Sequence, residues 1–286
     1  MKNSGNMKKT LTLLLLLMSV TGIAQSPYNQ RVIKVAVIDT GFDFNSDWNK
    51  VGADQDGVKL IKPKLCKEGH KDFTNTGIVD RHGHGTHVAG IIAKFAQNAN
   101  YCLVIIKYYD PTRQEGVSNL ESSIKALQYA NQIGVDVVNY SGGGLEFSLE
   151  EYKAVKKLLD KGTIFVAAAG NESTVTDYKL FKMDLTSGKK YFINTKTGDI
   201  TSDYVASYYP AGYDPRIISV GNSTFNHKTK KVETAKTSNR GDAINFEENG
   251  TNVISILPNN KKGYMTGTSQ SAPTKLGKML KIWNQK

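Results

Sequence analysis

Four short strings hold side chains whose types suit chemistry. Asp39-Thr40-Gly41 ends a β-branched run and places a carboxylate at its tip. Asp80-Arg81-His82-Gly83-His84-Gly85-Thr86-His87 gathers three imidazoles near a helix start. Ala169-Gly170-Asn171-Glu172 follows another apolar run and offers an amide that can donate a hydrogen bond into a cleft. Gly267-Thr268-Ser269 leads into the last helical pattern. A serine there can act as a nucleophile, with helix-terminal N–H groups stabilising nearby negative charge. Each string also has a plainer reading. Asp39 can cap a turn, Asn171 can be a turn residue and Ser269 can be an N-cap. Zinc is disfavoured, because His84 and His87 stand three apart with no Glu between them, unlike the HExxH pattern.

Alternating strands and helices must position these groups. Short apolar runs at 32–38, 101–109, 135–140, 163–168, 217–220 and 253–257 read as strands buried on both faces. Helical spacing marks 86–96, 118–133 and 148–159, and a last helix begins near Ser269. Ser148 with Glu151 forms a capping box. The pattern predicts an α/β fold of three layers, with a mainly parallel central sheet and helices on both faces. In such sheets ligands bind beyond the carboxyl ends of the strands. Asp39 and Asn171 follow such ends.

The chain has 286 residues, of which 39% are hydrophobic and 22% charged. That length buries a core unaided, and the composition excludes a disordered chain. Lys2, Lys8 and Lys9 precede an apolar stretch at 11–20, and Gly22-Ile23-Ala24 supplies small residues for cleavage after Ala24. This reads as a signal peptide over 1–24, too short for comfortable spanning, which takes about 20 apolar residues. The mature domain is then 25–286, secreted or periplasmic, with no membrane attachment. The formal charge is +11, and removing the three Lys of 1–24 leaves +8. The lysines are scattered along the chain and no nucleic-acid motif is present, so a solvated basic surface is expected, on a monomer. Cys66 and Cys102 form a disulfide or remain two buried thiols.

The four strings together resemble the Asp, His, oxyanion-Asn and Ser segments of subtilisin-like serine peptidases (the subtilase, or S8, family). His84-Gly85-Thr86-His87-Val88-Ala89-Gly90 matches the family's His motif throughout, and Gly267-Thr268-Ser269 with Pro273 matches the Ser motif. The resemblance spans about 32–280. It implies a serine endopeptidase that passes through an acyl-enzyme, with peptide or protein as substrate. Asp39, His84 and Ser269 would be catalytic, with an oxyanion hole from the Asn171 side chain and the Ser269 backbone N–H. Gly116 and the Ser141, Gly142 and Gly143 edge would bind substrate backbone. Ala168 and Gly170 would line an open S1 slot without a buried charge, and Gly142 would leave the non-primed subsites open.

Several departures from the family are visible. Only 14 residues separate Ala24 from Asp39, too few for the usual pro-domain. An inserted β-hairpin is expected at 178–202, beside the oxyanion hole. Gln270 replaces an apolar residue, and Leu276 replaces a small one. The chain ends 13 residues after Pro273. No cofactor is required by this chemistry. Calcium is common in the family, but the acidic loop of Asp43, Asp47, Asp54 and Asp56 supplies no complete ligand set. A peptide-binding protein without catalysis and a small-substrate esterase are the competing readings.

Overall fold

The computed structural model describes residues 31–284 apart from 55–56, 113–117, 177–178, 184–189, 195 and 202–206. Strands β1 (Ile33–Asp39), β2 (Lys71–Asp72), β3 (Tyr101–Lys107), β4 (Val137–Tyr140) and β5 (Ile164–Ala168) come first. Strands β6 (Lys179–Met183), β7 (Lys190–Asn194) and β8 (Ile200–Thr201) form a small sheet of their own. Then come β9 (Ile218–Asn226), β10 (Lys231–Thr234), β11 (Phe246–Asn249), β12 (Val253–Leu257) and β13 (Lys261–Met265). Among the described residues four α-helices join them: α1 (His84–Ala96), α2 (Asn119–Gln132), α3 (Leu149–Asp160) and α4 (Thr268–Trp283).

The central sheet runs β10-β9-β5-β4-β1-β3-β2, with β11 also paired to β9. Every pairing is parallel except β9 with β10. Successive residues of β1 point to opposite faces, as the pleat requires. Val35 and Val37 pack in one core with Val88, Ile92, Leu276 and Leu280 of α1 and α4. Ala36 and Ile38 pack in the other with Leu127 and Leu158 of α2 and α3. The expected three layers are therefore present, and alternation along one strand serves both.

Three expectations change. The run at 253–257 is a strand, but it pairs antiparallel with β13 in a separate hairpin. Its partner, Lys-Lys-Gly-Tyr-Met, is too polar to announce itself as a strand. The insert is a three-stranded meander, because β8 adds antiparallel to β7. Asn194 accepts the Gly198 N–H at 2.8 Å to close that second turn. The capping box at α3 is half formed. Ser148 Oγ accepts the Glu151 N–H at 3.2 Å, but the Glu151 carboxylate accepts from Ser123 Oγ and Tyr213 Oη instead of returning to the cap. Leu276 is fully buried, and α4 makes its tight approach to α1 at the adjacent Gly277, where a Cβ would lie 2.6 Å from Phe95 Cβ. Among the described residues no helix is long and apolar enough to cross a membrane, and segment 1–24 lies outside them.

Candidate active site

Asp39 is the last residue of β1, next to the sheet's centre, and is 3% exposed. Its Oδ1 accepts from the Thr40 N–H at 2.7 Å and lies 2.8 Å from His84 Nδ1. Helix α1 starts at His84, so the sheet and the helix meet at this contact. Gly85 makes the meeting possible: a Cβ there would stand 2.3 Å from the Gly41 carbonyl oxygen. Thr40 Oγ1 accepts the Gly85 N–H at 2.8 Å and ties the two elements directly.

Asp80 anchors the same corner. Its carboxylate accepts from Thr40 Oγ1, the N–H groups of His82, Gly83 and Thr86, and Thr86 Oγ1, at 2.7–3.0 Å. Two of those donors are backbone groups that a helix start leaves unsatisfied. Lys107, fully buried at the end of β3, donates to the Gly77 and Val79 carbonyls and to Asp110. It thereby fixes the chain leading into Asp80. The sequence reading assigned neither residue a role. Asp80 stands two places before His82, and an acid just ahead of a helix start, where free N–H groups gather, is the signal the sequence offers. The burial of Lys107 left none.

His84 Nδ1 faces the carboxylate, so the imidazole carries its proton there and presents a lone pair at Nε2. Burial alone would lower its proton affinity. The Asp39 charge and hydrogen bond outweigh burial, Asp80 adds to them, and the net shift is upward. His87 lies one turn on and is fully buried, with Nε2 at 3.1 Å from the Gly263 carbonyl. Burial lowers its proton affinity to about 4. His82 is exposed.

Ser269 is the second residue of α4, so its backbone N–H is one of the orphan donors of a helix start. Asn171 Oδ1 accepts the Thr268 N–H at 2.9 Å. That bond orients the amide and leaves Nδ2 as the end available to a ligand beside Ser269. The Ser269 hydroxyl donates to the Ser141 carbonyl at 2.9 Å, not to His84. The hydrogen-bond partner of His84 Nε2 is instead the Gln270 amide nitrogen, at 3.5 Å.

Ser141, Gly142 and Gly143 extend from the end of β4. Gly144 is bridged to Tyr209 through both backbone bonds. No hydrogen bond among the described residues uses the backbone of Gly142 or Gly143. A side chain at Gly143 would sit 2.2 Å from the Tyr209 carbonyl oxygen, and its φ of 149° suits glycine. A cleft of 630 Å³ runs along this segment, walled by Tyr108, Tyr140, Tyr208 and Tyr209.

The space over Gly142 is not open as expected. Tyr108 Oη stands 2.2 Å from where a Gly142 Cβ would be, so a phenol from the end of β3 fills it. Burial and the Asp39 charge both push the Tyr108 phenol up. The slot beside Ala168 and Gly170 is also narrower than expected. A Cβ on Gly170 would meet Asn239 Nδ2 at 2.2 Å, Glu172 Oε2 at 2.5 Å and the Tyr208 ring at 2.7 Å. Asn239 creates this crowding by donating to Ala169 O and Glu172 while accepting from the Glu172 and Thr174 N–H groups. A carboxylate therefore borders the slot.

Gly116 lies outside the described residues, as does Asp56. In the acidic loop, Asp43 accepts from Ser46 and from the Asn45 and Asn259 N–H groups, and Asp54 pairs with Lys94 at 2.5 Å. No group of three or more acidic, His or Cys side chains gathers as a metal set among the described residues. Cys66 and Cys102 are joined in a disulfide, with Cα atoms 4.9 Å apart.

A sequence profile of the subtilase family matches residues 30–284. The major intracellular serine protease of Bacillus subtilis (strain 168) is 31% identical over 265 residues, covering 87% of this chain and 68% of that protein. An intracellular serine protease of Paenibacillus polymyxa is 28% identical, covering 91% and 70%. Among solved structures, a cold-adapted subtilisin-like serine proteinase superposes with a TM-score of 0.58 at 21% identity, over 88% of this chain and 75% of its own. A lanthipeptide protease superposes at 0.59 with 19% identity, over 87% and 72%. At these identities the superpositions speak for the fold alone, and the profile match speaks for the family. With its motifs in the family's order and its sheet in the family's form, the chain belongs to the subtilases, a family of serine-type endopeptidases.

Proposed function

We propose that this protein is an exported endopeptidase in which Asp39, His84 and Ser269 form the catalytic triad. The observation that carries the reading is the 2.8 Å contact between Asp39 and His84 Nδ1 at the carboxyl end of β1, with Ser269 at the start of the neighbouring α4. His84 Nε2 takes the Ser269 proton as Oγ attacks the scissile carbonyl carbon. The imidazolium gives that proton to the leaving amine, and water later releases the acyl group by the same route. Asp39 holds the ring's tautomer and stabilises its cation. Asn171 Nδ2 and the Ser269 N–H take the oxyanion. The chemistry uses protein groups alone, so no cofactor is needed.

Peptide binds as an added strand on the unpaired backbone of Gly142 and Gly143. That edge favours a polypeptide over a small ester, and intact acid, base, nucleophile and amide favour catalysis over mere binding. Export is supported by the pattern at 1–24 and by the Cys66–Cys102 disulfide, which persists in oxidising compartments. The relatives from Bacillus subtilis and Paenibacillus polymyxa are named intracellular and do not bear on that leader.

A fluorophosphonate probe tests the triad. Peptide mass spectrometry should find the adduct on Ser269, and Ser269→Ala should abolish it. Folded protein that resists the probe would refute the reading. N-terminal sequencing of protein recovered outside the cytoplasm tests export, with a first residue of Gln25 as the expected result.

A further inference from the structure

Gln270 has no part in the mechanism above, yet it occupies the most contested atom of the site. It is 2% exposed, and a buried amide needs partners for its N–H groups. Within reach of its Nε2 are His84 Nε2 at 3.5 Å and Met265 Sδ at 3.8 Å. Thioether sulfur is a weak acceptor, and a neutral imidazole offers one lone pair. With Nδ1 committed to Asp39, that lone pair is at Nε2. The Gln270 amide and the Ser269 hydroxyl therefore compete for a single acceptor. The hydroxyl has an alternative in the Ser141 carbonyl at 2.9 Å, whereas among the described residues the Gln270 amide nitrogen has only the sulfur.

We propose that Gln270 is a positioning residue that holds the site at rest. Its amide occupies His84 Nε2 while the nucleophile is parked on Ser141, and an incoming peptide reverses the arrangement. A bound strand offers a backbone N–H to the Ser141 carbonyl, which lies at the nucleophile end of the unpaired edge. The displaced Ser269 hydroxyl then turns to His84 and replaces Gln270. A contact at 3.5 Å is at the outer limit of a hydrogen bond, so the exchange is readily made. The proposal rests on the peptidase reading for the role of the strand, but the contact with His84 stands without it.

The test separates the two. ¹⁵N-histidine NMR of Ser269→Ala protein follows the His84 titration without any catalysis. The charged or titratable groups around that ring are Asp39 from β1, Asp80 and His82 from the loop before α1, His87 within α1, and the Tyr108 phenol near Asp39. None of them is altered by substitution at 270. An amide that donates to Nε2 favours the neutral ring, so Gln270→Met should raise the His84 midpoint by roughly half to one pH unit. Gln270→Glu, of the same shape, should raise it further. In the protein with Ser269 intact, Gln270→Met should speed fluorophosphonate labelling by roughly 3- to 10-fold at neutral pH and shift the acid limb of the rate profile upward.

An unchanged midpoint overturns the proposal. A lowered one does too, because it would mean the amide accepts from a protonated ring through Oε1. A raised midpoint with no labelling in either protein would retain the Gln270–His84 contact and overturn the peptidase reading.

Discussion

Asn171 shows how one bond orients a functional amide. Its oxygen is taken by the Thr268 N–H, so the donor end is the one that would serve the proposed oxyanion site. Asn171→Ala removes a donor made useful only in the transition state. It should lower kcat by about 10²–10³-fold with little change in KM, the loss typical of one such donor. Steady-state kinetics on a peptide substrate will check this. His87 is a residue of the opposite kind, buried for packing. Its proton affinity in the fold is lowered to about 4 from an ordinary 6.5. Below pH 6.5 the unfolded chain binds a proton that the fold refuses, so stability falls as pH falls toward 4. The full loss is about 3 kcal/mol. His84, raised in the fold, acts in the opposite sense: its contribution is complete below its ordinary value and fades as pH rises through the folded one. Urea titrations at pH 7 and pH 4.5 should show His87→Gln losing less stability on acidification than the parent.

At the scale of elements, the decisive joint is where β1 hands over to α1. One carboxylate, Asp80, satisfies the loop, the helix start and the Thr40 hydroxyl together. Asp80→Ala leaves those donors without their acceptor, among them two buried hydroxyls. The expected cost is about 3 kcal/mol, from a lost cap and lost charge-assisted bonds. Labelling of Ser269 should slow as well, because His84 is the first residue of the freed helix. Equilibrium unfolding and probe kinetics on one preparation measure both. Unchanged stability would mean the joint is held by packing around Gly85 and not by Asp80.

For the whole molecule, the disulfide ties β3 to the segment that precedes β2. Cys66 and Cys102 are 36 residues apart, and chain entropy assigns such a loop about 4 kcal/mol. Replacing both cysteines by serine should lower unfolding free energy by about 2–4 kcal/mol. A reductant should produce the same loss in the parent and none in the variant, read by urea unfolding at pH 7. The three layers themselves should survive, since both cores close without the bridge.

The sequence by itself determined the order of six strands and the four α-helices, the placement of Asp39 and Asn171 at strand ends, and the motif around His84. These are local facts: periodicity, β-branching and contiguous strings express themselves without distant partners. It also marked Gln270 and Gly142 as unusual. Only the tertiary structure decided what fills those places. Gln270 meets an imidazole 186 positions away, and Tyr108 reaches over Gly142 from another strand. The pairing of β12 with a polar β13, the crowding of Gly170 by Asn239 and Glu172, and the burial of Lys107 belong to the same class. Each is a contact between segments far apart in the chain, and no pattern within either segment encodes the partner that folding brings to it.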